Sequence, residues 1–476
     1  MRKFVAVSSL ALVAAAPPPS TDAKLRAIVA PVSAAQLRAN VEKLVSFGTR
    51  HTLSSQTDPK RGIGAALEWG RSEFQRYSAA CGNCLTIVDP SEIFTNDRIP
   101  TPTRVRDMVA IQRGTERPND VVIITGHIDS RVSDPMNATS DAPGANDDGS
   151  GSSTVLEAAR ILSKHKFPGT IVYSLDSGEE QGLNGAKVIA NYAKAQGWNV
   201  IADLNNDIVG NSRGSDGVKD DAHVRIFSEG PRWQGHEDLA ARQRSLGGEN
   251  DAPGRNISRY LDKLADRLNI GLDVRQIWRN DRFGRGGDHS EFLNLGFPAV
   301  RFTVAVENYN WQHQDLRTEN GIKYGDTIEN MDFAYLAKVA KLNIAALAGI
   351  ASAPPPPEIV AAGAVSTDTT LTIKVSPSDA HYGIRFSPRT VLTAAERSRP
   401  FVTLYCRRTD ARDWSNECLK GKATVGRDLV ILHGIRVDDW VFGASMSQYG
   451  FESPVASAVP GGAFKPYVAP PPPAKK

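Results

Sequence analysis

The sequence predicts an α/β protein: a mixed, mostly parallel sheet flanked by helices, followed by a small all-β sandwich. Three observations predict it. Up to about residue 350, apolar runs of strand length alternate with stretches that carry apolar residues at helical spacing, the pattern of a sheet with helices on its faces. A proline run, Pro354 to Pro357, then interrupts the chain and reads as an extended linker. Beyond it, strand-like alternation dominates, as in a sandwich. A chain of 476 residues has room for two or three domains at roughly 100–200 residues each.

At the start, Arg2 and Lys3 precede the small, apolar run Phe4 to Ala16, and Ala14-Ala15-Ala16 offers a cleavage region before Pro17. This is the pattern of an export signal, and it is shorter than the roughly 20 residues of a spanning helix. Residues 1–22 are therefore read as a signal peptide and the protein as exported, periplasmic or extracellular. No other segment reads as a membrane span. The four cysteines fall in two close pairs. In an oxidising compartment they predict the local disulfides Cys81–Cys84 and Cys406–Cys418; no thioredoxin-like βαβ pattern surrounds the first pair.

Leu37, Val41, Leu44 and Val45 give a helix over 35–47, and Phe47 to Thr52 follows as a loop in which His51 reads as solvated or capping. Ile63, Ala66, Leu67, Trp69 and Phe74 mark a second helix over 62–77. Strands are expected at 107–113 and 121–125, joined by a polar turn, and at 170–175 and 199–204. Helices at 152–164 and 186–195 alternate with them. The pattern loosens from Gly210 to Asn280, with a strand at 224–227 and a helix at 257–268. A glycine-rich loop, 281–290, precedes a strand at 298–304, and a long helix over 333–350 closes the first domain. Strands follow at 370–375, 382–386, 401–406, 429–432 and 440–444. The layout is thus 1–22 signal, 23–352 α/β domain, 353–358 linker, 359–460 sandwich, and a Pro-rich, disordered tail at 461–476.

The net charge of +3 is small for this length and gives no reason to expect nucleic acid or a membrane surface as partner. The chemistry lies in the strand ends. Val121 to Thr125 runs into Gly126-His127-Ile128-Asp129 and then the acidic turn Gly144-Ala145-Asn146-Asp147-Asp148-Gly149-Ser150-Gly151. The next strand runs into Ser177-Gly178-Glu179-Glu180, and the one after it into Asn205-Asn206-Asp207. Singly, these residues are ordinary caps and turn formers. Together, His127, Asp147, Glu180, Asp207 and a late histidine sit where the carboxyl ends of a doubly wound sheet converge. Imidazole with carboxylates is a zinc-type ligand set. Five such ligands exceed one tetrahedral zinc and suit two ions about 3.5–4 Å apart, bridged by a carboxylate. Without that positive charge the carboxylates would raise each other's pKa.

The segments GHIDS, PGANDDGSG, SGEEQGL, NNDIVG and QHQD, with FGTRHT near Arg50, together resemble metallopeptidase family 28, the two-zinc exopeptidases of the bacterial leucyl aminopeptidase and glutamate carboxypeptidase type. The resemblance covers about Ala35 to Ile350 and makes residues 23–352 a zinc peptidase domain. It implies two zinc ions: His127 and Asp207 on one, Glu180 and His313 on the other, Asp147 bridging. It implies that Asp129 accepts a hydrogen bond from His127, and that Glu179 is the general base, passing a proton from the attacking water to the leaving amine. It also implies a cis peptide at Asp147–Asp148. The late histidine is His313 or His289, with His313 favoured because it follows the last strand. The usual His-x-x-x-Asp-Thr pattern is stretched here, since Asp326-Thr327 stands well downstream. His289 and Asp288, in GGDHSEF, resemble a segment that lines the substrate pocket. The C-terminal stretch DDWVFGASMSQYGFESPV resembles the closing strands of a fibronectin type III domain.

The implied activity is an exported aminopeptidase acting on peptides. A carboxypeptidase or dipeptidase is the alternative; it needs a cationic clamp, and Arg282, Arg285 or Arg301 offers one. A glutaminyl cyclase, which uses one zinc, and a non-catalytic binding module are further rivals, weakened by the full ligand set and Glu179. Side-chain preference and oligomeric state are not set by the sequence.

Overall fold

The computed structural model describes residues 20–230, 248–376, 381–387 and 393–458. The expected tail and nearly all of the expected signal segment lie outside the described residues. Ser20 caps the first helix, α1 (Thr21–Val29), accepting from Ala23 N, and α2 (Ala34–Val45) is capped in the same way by Ser33. Helix α3 (Ile63–Ala80) ends at the Cys81–Cys84 disulfide.

The main sheet has eight strands: β1 (Leu85–Val88), β4 (Met108–Gln112), β5 (Arg117–His127), β6 (Gly169–Asp176), β7 (Asn199–Asn206), β8 (His223–Phe227), β9 (Asp273–Ile277) and β10 (Ala299–Val304). The hairpin β2 (Ser91–Asn96) and β3 (Ile99–Arg106) stands apart. The order is β1-β4-β6-β5-β7-β10-β8-β9. The middle four, β6-β5-β7-β10, are parallel, and β1, β4 and β8 join antiparallel to their inner neighbours. Strand β5 is the switch point, with β6 on one side and β7 on the other, so the carboxyl ends on either side open a crevice there. The two strands expected on either side of Gly114 do form, as β4 and β5, but β6 lies between them.

One face of the sheet is covered by α2, α4 (Gly149–Leu162) and the long helix α8 (Phe333–Ser352). Val155, Leu156, Ala159 and Leu162 of α4 and Leu336, Val339, Ile344 and Leu347 of α8 bury their apolar stripes in the main core. By length and composition α8 would qualify to cross a membrane, contrary to the sequence reading that no such segment follows residue 16; here most of it is buried inside the protein. The other face carries α5 (Asn184–Ala195) and the short α7 (His289–Asn294), which pack together over Ile123, Val172 and Ala299. Helix α6 (Pro253–Leu268) lies on β9 and β10.

Several elements were not legible in the sequence: α1, β1, the β2–β3 hairpin, β9 and α7. The same holds for a second hairpin, β11 (Arg317–Glu319) and β12 (Ile322–Tyr324). Each is short, or carries too few apolar residues to show a period.

After α8 ends at Ser352, the chain resumes as β13 (Glu358–Ala362). It forms one sheet with β14 (Thr369–Lys374), β18 (Leu429–Leu432) and β17 (Ala423–Val425). A second sheet holds β15 (Gly383–Arg385), β16 (Phe401–Arg408), β19 (Trp440–Gln448), β20 (Phe451–Glu452) and β21 (Ala456–Ala458). The two share a core of Ile359, Leu371, Ile373, Val402, Leu404, Val430 and Phe442. The Cys406–Cys418 disulfide ties β16 to the turn after it.

This sandwich docks on α6 through polar side chains. Arg407 pairs with Asp251, both buried. Trp414 Nε1 donates to Asn256 Oδ1 at 3.0 Å, Asn256 Nδ2 to Ser457 Oγ at 2.8 Å, and Arg259 Nε to the Arg412 carbonyl at 2.6 Å.

Candidate metal centre

Strand β5 ends at His127, and the chain must then return past the start of α4. Glycines permit this approach: a Cβ on Gly126 would fall 2.6 Å from the carbonyl carbon of Gly151, and one on Gly151 would fall 2.2 Å from Asp148 Oδ2. Asp148 caps α4 by accepting from Gly151 N at 2.8 Å. Its Oδ2 accepts from His127 N at 3.1 Å and its Oδ1 from Ile208 N at 3.2 Å. One buried carboxylate thus joins the ends of β5 and β7 to the helix start. The Asp147–Asp148 peptide is cis.

Asp147 faces the other way. Its backbone N donates to Asp326 Oδ2 at 2.7 Å and Asn146 N to the same atom at 2.9 Å. Arg50, fully buried, donates to the carbonyls of Ile128 (2.6 Å), Pro143 (2.6 Å), Gly144 (2.8 Å) and Leu44 (3.3 Å). It clamps the two loops that carry His127 and Asp147.

The structure brings all five expected ligands to the carboxyl edge of the sheet. They form two groups whose ligand atoms lie within 4.8 Å of one another: His127, Asp147 and Asp207, and Asp147, Glu180 and His313. His127 Nε2 is 3.2 Å from Asp147 Oδ1 and 3.7 Å from Asp207 Oδ1. His313 Nε2 is 2.8 Å from Asp147 Oδ2 and 2.9 Å from Glu180 Oε1. Asp147 belongs to both groups, one oxygen to each. His127 Nε2, Asp147 Oδ2, Glu180 Oε1 and Asp207 Oδ1 are buried without a hydrogen-bond partner of good geometry. Buried polar atoms left so are costly. Convergent lone pairs from imidazole and carboxylate fit a zinc-type cation, so the residues fit the expected metal.

The other oxygens of Asp207 and Glu180 are held from behind. Arg301 is ion-paired with Asp207 Oδ2 at 2.9 Å and donates to Asp281 Oδ2 at 2.9 Å; fully buried and twice paired, it is not the substrate clamp that the sequence allowed. Arg131 Nε donates to Glu180 Oε2 at 2.7 Å. Asp129 is 3.5 Å from His127 Nδ1 through its carboxylate, but its own carbonyl is nearer, at 3.2 Å. Its carboxylate also accepts from the backbone N of Glu180 (3.1 Å) and Glu179 (3.3 Å), which fixes the turn after β6.

The expected mutual repulsion is only partly seen. Burial opposes charge on Asp147 and Asp207, yet His313 and His127 hold Asp147 well below the usual carboxylate range, and Arg301 and His127 lower Asp207. Burial also works against the imidazolium of His127, but Asp129, Asp147 and Asp207 outweigh it and raise its pKa. Glu179 has no such cation. Burial, with Glu180, Asp207 and Asp129 adding to it and His127 opposing, pushes it up to about 8.

His289 is not among the ligands: its Nε2 lies 3.2 Å from Glu229 Oε1. Next to it, Asp288 has both carboxyl oxygens buried without a hydrogen-bond partner. Burial raises its pKa, and Asp176 and Glu179 lie within electrostatic reach. Arg282 pairs with Glu307 and stacks 5.4 Å from the Tyr309 ring.

Sequence reasoning passed over Arg50 and Arg131 as supports and offered Arg301 only as a substrate clamp; His51 caps its own loop, accepting from Leu53 N at 3.0 Å, but is not solvated. That histidine is buried, with Nε2 2.9 Å from the Pro135 carbonyl and 3.1 Å from Gln181 Nε2. Asp326 was noted only for its distance from His313. The β11–β12 hairpin supplies that extra length and returns the chain to Asp147.

The chain matches the profile of Peptidase family M28 over residues 107–339. It is 46% identical over 343 residues to a probable zinc metalloprotease of Leptosphaeria maculans, covering 72% of this chain and 80% of that one. With a probable zinc metalloprotease of Pyrenophora teres f. teres it shares 45% identity over 360 residues, 75% of this chain and 74% of that one. Among solved structures, LapB from Legionella pneumophila shares the fold, with a TM-score of 0.50 at 19% identity over 69% of this chain and 75% of that one. Identity at the level of the two metalloproteases, across most of each chain, with a family match that spans all five converging ligands, shows that this chain belongs to peptidase family M28.

Proposed function

We propose that the chain is an exported zinc aminopeptidase with two zinc ions, His127 and Asp207 on one, Glu180 and His313 on the other, and Asp147 between them. The observation that carries this reading is the sharing of Asp147: its two oxygens face two separate buried ligand groups. Bound there, zinc would supply Lewis acidity, polarising a substrate carbonyl and making water more acidic.

The protein's own residues do the rest. Glu179, held in place by its backbone bond to Asp129, takes the proton of the attacking water and delivers it to the leaving amine. A pKa raised to about 8 by burial suits a group that must both accept and release a proton near neutral pH. Asp129 orients His127 and the Glu179–Glu180 turn together. Asp288 supports the choice of an N-terminal substrate: a buried carboxyl without a partner, near Glu179, suits a protonated α-amine. Of the three arginines that the carboxypeptidase reading offers for the substrate carboxylate, Arg301 is bound to Asp207 and Asp281 and Arg282 to Glu307, which leaves the exposed Arg285 as its one candidate. Export is supported by the basic, apolar start of the sequence and by two disulfides.

The test is mass spectrometry of two peptides of one sequence, one with a free and one with an acetylated N-terminus, incubated with the purified protein with and without a zinc chelator. Stepwise loss from the free N-terminus alone, abolished by chelator, is the expected result. Trimming of both peptides from the C-terminus would replace this reading with the carboxypeptidase.

A further inference from the structure

A cavity of about 510 Å³ opens where α1, α6 and α8 meet the sandwich. That volume is ordinary for a small-molecule site. Gly349, which lines it, stands one turn before the end of α8, and just beyond that end Arg117, the first residue of β5, donates to the carbonyl of Ala353 at 2.8 Å. The cavity therefore lies towards the amino edge of the sheet, away from the five converging ligands at the carboxyl edge. Two glycines let its walls approach: a Cβ on Gly349 would collide with Tyr260 Oη, and one on Gly450 with Thr21 Oγ1.

Four arginines and two acids line this cavity, and both acids are already engaged. Asp22 is paired with Arg267 at 2.7 Å. Glu452 accepts from the hydroxyls of Tyr405 and Ser445. The other three arginines, Arg385, Arg397 and Arg399, all come from the sandwich, and among the described residues none of them is ion-paired with an acid. Their positions are nevertheless fixed. The half-buried Arg385 donates from Nε to Thr403 Oγ1 at 2.6 Å and from Nη2 to Ser447 Oγ at 3.0 Å. Both partners are neutral hydroxyls, which orient the guanidinium and leave its charge uncompensated. Arg397 and Arg399 are exposed, but their backbone is tied to the turn between β19 and β20. Tyr449 N donates to the Arg397 carbonyl at 2.7 Å and Gln448 Nε2 to the Ser398 carbonyl at 3.1 Å.

A cleft lined by one sign of charge concentrates ions of the other. The planar fork of arginine matches carboxylate and phosphate oxygens in pairs. A single carboxylate has two oxygens and one charge, too few for three guanidiniums. A phosphate ester presents three acceptor oxygens and nearly two charges, and a sulfate ester presents three such oxygens as well. The cavity is far larger than one such group. Its remaining walls include Tyr260, Phe401 and Phe451 beside Ser20, Thr21 and Gln448, aromatic faces and polar groups that suit the C–H faces and hydroxyls of a sugar ring.

We propose that this cavity binds a saccharide carrying phosphate or sulfate esters, with Arg385, Arg397 and Arg399 on the esters and the ring between the peptidase domain and the sandwich.

The test is isothermal titration calorimetry of the purified protein at low salt. Sucrose octasulfate and inositol hexakisphosphate are the probes, and sucrose and a tetra-aspartate peptide the neutral and carboxylate controls. One saturable site for either probe and none for sucrose is the expected result, and the probe that binds more tightly tells sulfate from phosphate. Arg385→Met should weaken that binding about tenfold or more, the size of a lost hydrogen bond to a charged group. The double variant Arg397→Ala/Arg399→Ala should lose as much, and its exposed side chains keep the test open should Arg385→Met fold poorly. Arg408→Ala, exposed and outside the cavity, should bind as wild type does. No saturable binding of either probe, unchanged affinity in the double variant, or an equal loss in Arg408→Ala would overturn the inference. Tighter binding of tetra-aspartate than of both probes would replace it with a site for acidic peptides.

Discussion

Glu179 and Glu180 are adjacent in sequence and opposite in surroundings. Glu180 has Arg131 on one oxygen and His313 on the other. Glu179 has acids for neighbours and is pushed up to about 8, burial being the largest cause. Glu179→Gln keeps the shape and removes the proton carrier. Turnover of a free-N-terminus peptide should fall by about 10²–10⁴ while both metals stay bound, as a general base of this kind contributes. Near-normal kcat in that variant, with its metal count unchanged, would remove Glu179 from the base role. The converging side chains were legible in the sequence because each follows an apolar run or the loop after it, and strand ends in a parallel sheet meet at one edge. Arg50 and Asp326 were not legible as supports. Their work consists of bonds to backbone groups 78 or more residues away along the chain, for Arg50 to Ile128, Pro143 and Gly144 and for Asp326 to Asn146 and Asp147. No local pattern marks such a residue.

Among the elements, α6 carries the junction with the sandwich, through Asn256 and Arg259 on the helix and Asp251 just before it. The Arg407–Asp251 pair is buried on both sides. Removing one partner of such a pair leaves the other charged and without compensation. Burial already raises the Asp251 pKa despite Arg407. Arg407→Ala should therefore cost about 3–5 kcal/mol, read as a lower urea midpoint and faster proteolytic cutting between α8 and β13. A shift below about 1 kcal/mol, the size of an exposed pair, would show that the junction does not depend on this contact. Of the strands at the junction, β10 and β16 were anticipated, since they run apolar or alternate for several residues, whereas the short β9 and β21 were not. The α6 helix was expected from Ile257, but its first turn, Pro253 to Asn256, contributes polar contacts to the sandwich and has no apolar stripe to announce it.

At the level of the molecule, the metal centre couples folding to pH. Burial pushes Asp176 and Asp326 up to about 7 and Glu179 up to about 8, and it raises Asp288 as well. His127 and His313 are raised by their carboxylates against the effect of burial. All of these bind protons more tightly folded than unfolded. The stability they confer is full below their unfolded pKa values and is lost as pH rises through the folded ones. The lowered group, Asp129, Asp147 and Asp207, acts only below about pH 4, the unfolded value of an aspartate. Metal-stripped protein should therefore melt at a lower temperature at about pH 8 than at about pH 5.5. Zinc should close much of that gap, since it requires deprotonated ligands and binds the folded state. Calorimetry of stripped and zinc-loaded samples at the two pH values checks this; a stripped protein that grows more stable towards pH 8 would contradict it.

By itself the sequence determined the α/β class and singled out the five side chains that converge, His127, Asp147, Glu180, Asp207 and His313, because each lies at the end of an apolar run or on the loop after it. The tertiary structure alone decided that β6 inserts between β4 and β5, that α8 is a core helix, and that the buried Arg50 and Arg301 and the half-buried Arg131 hold the loops and ligands. Those outcomes depend on which distant surfaces pack together. A buried charge is stable only where partners from remote parts of the chain meet it, and a single sequence carries no record of that meeting.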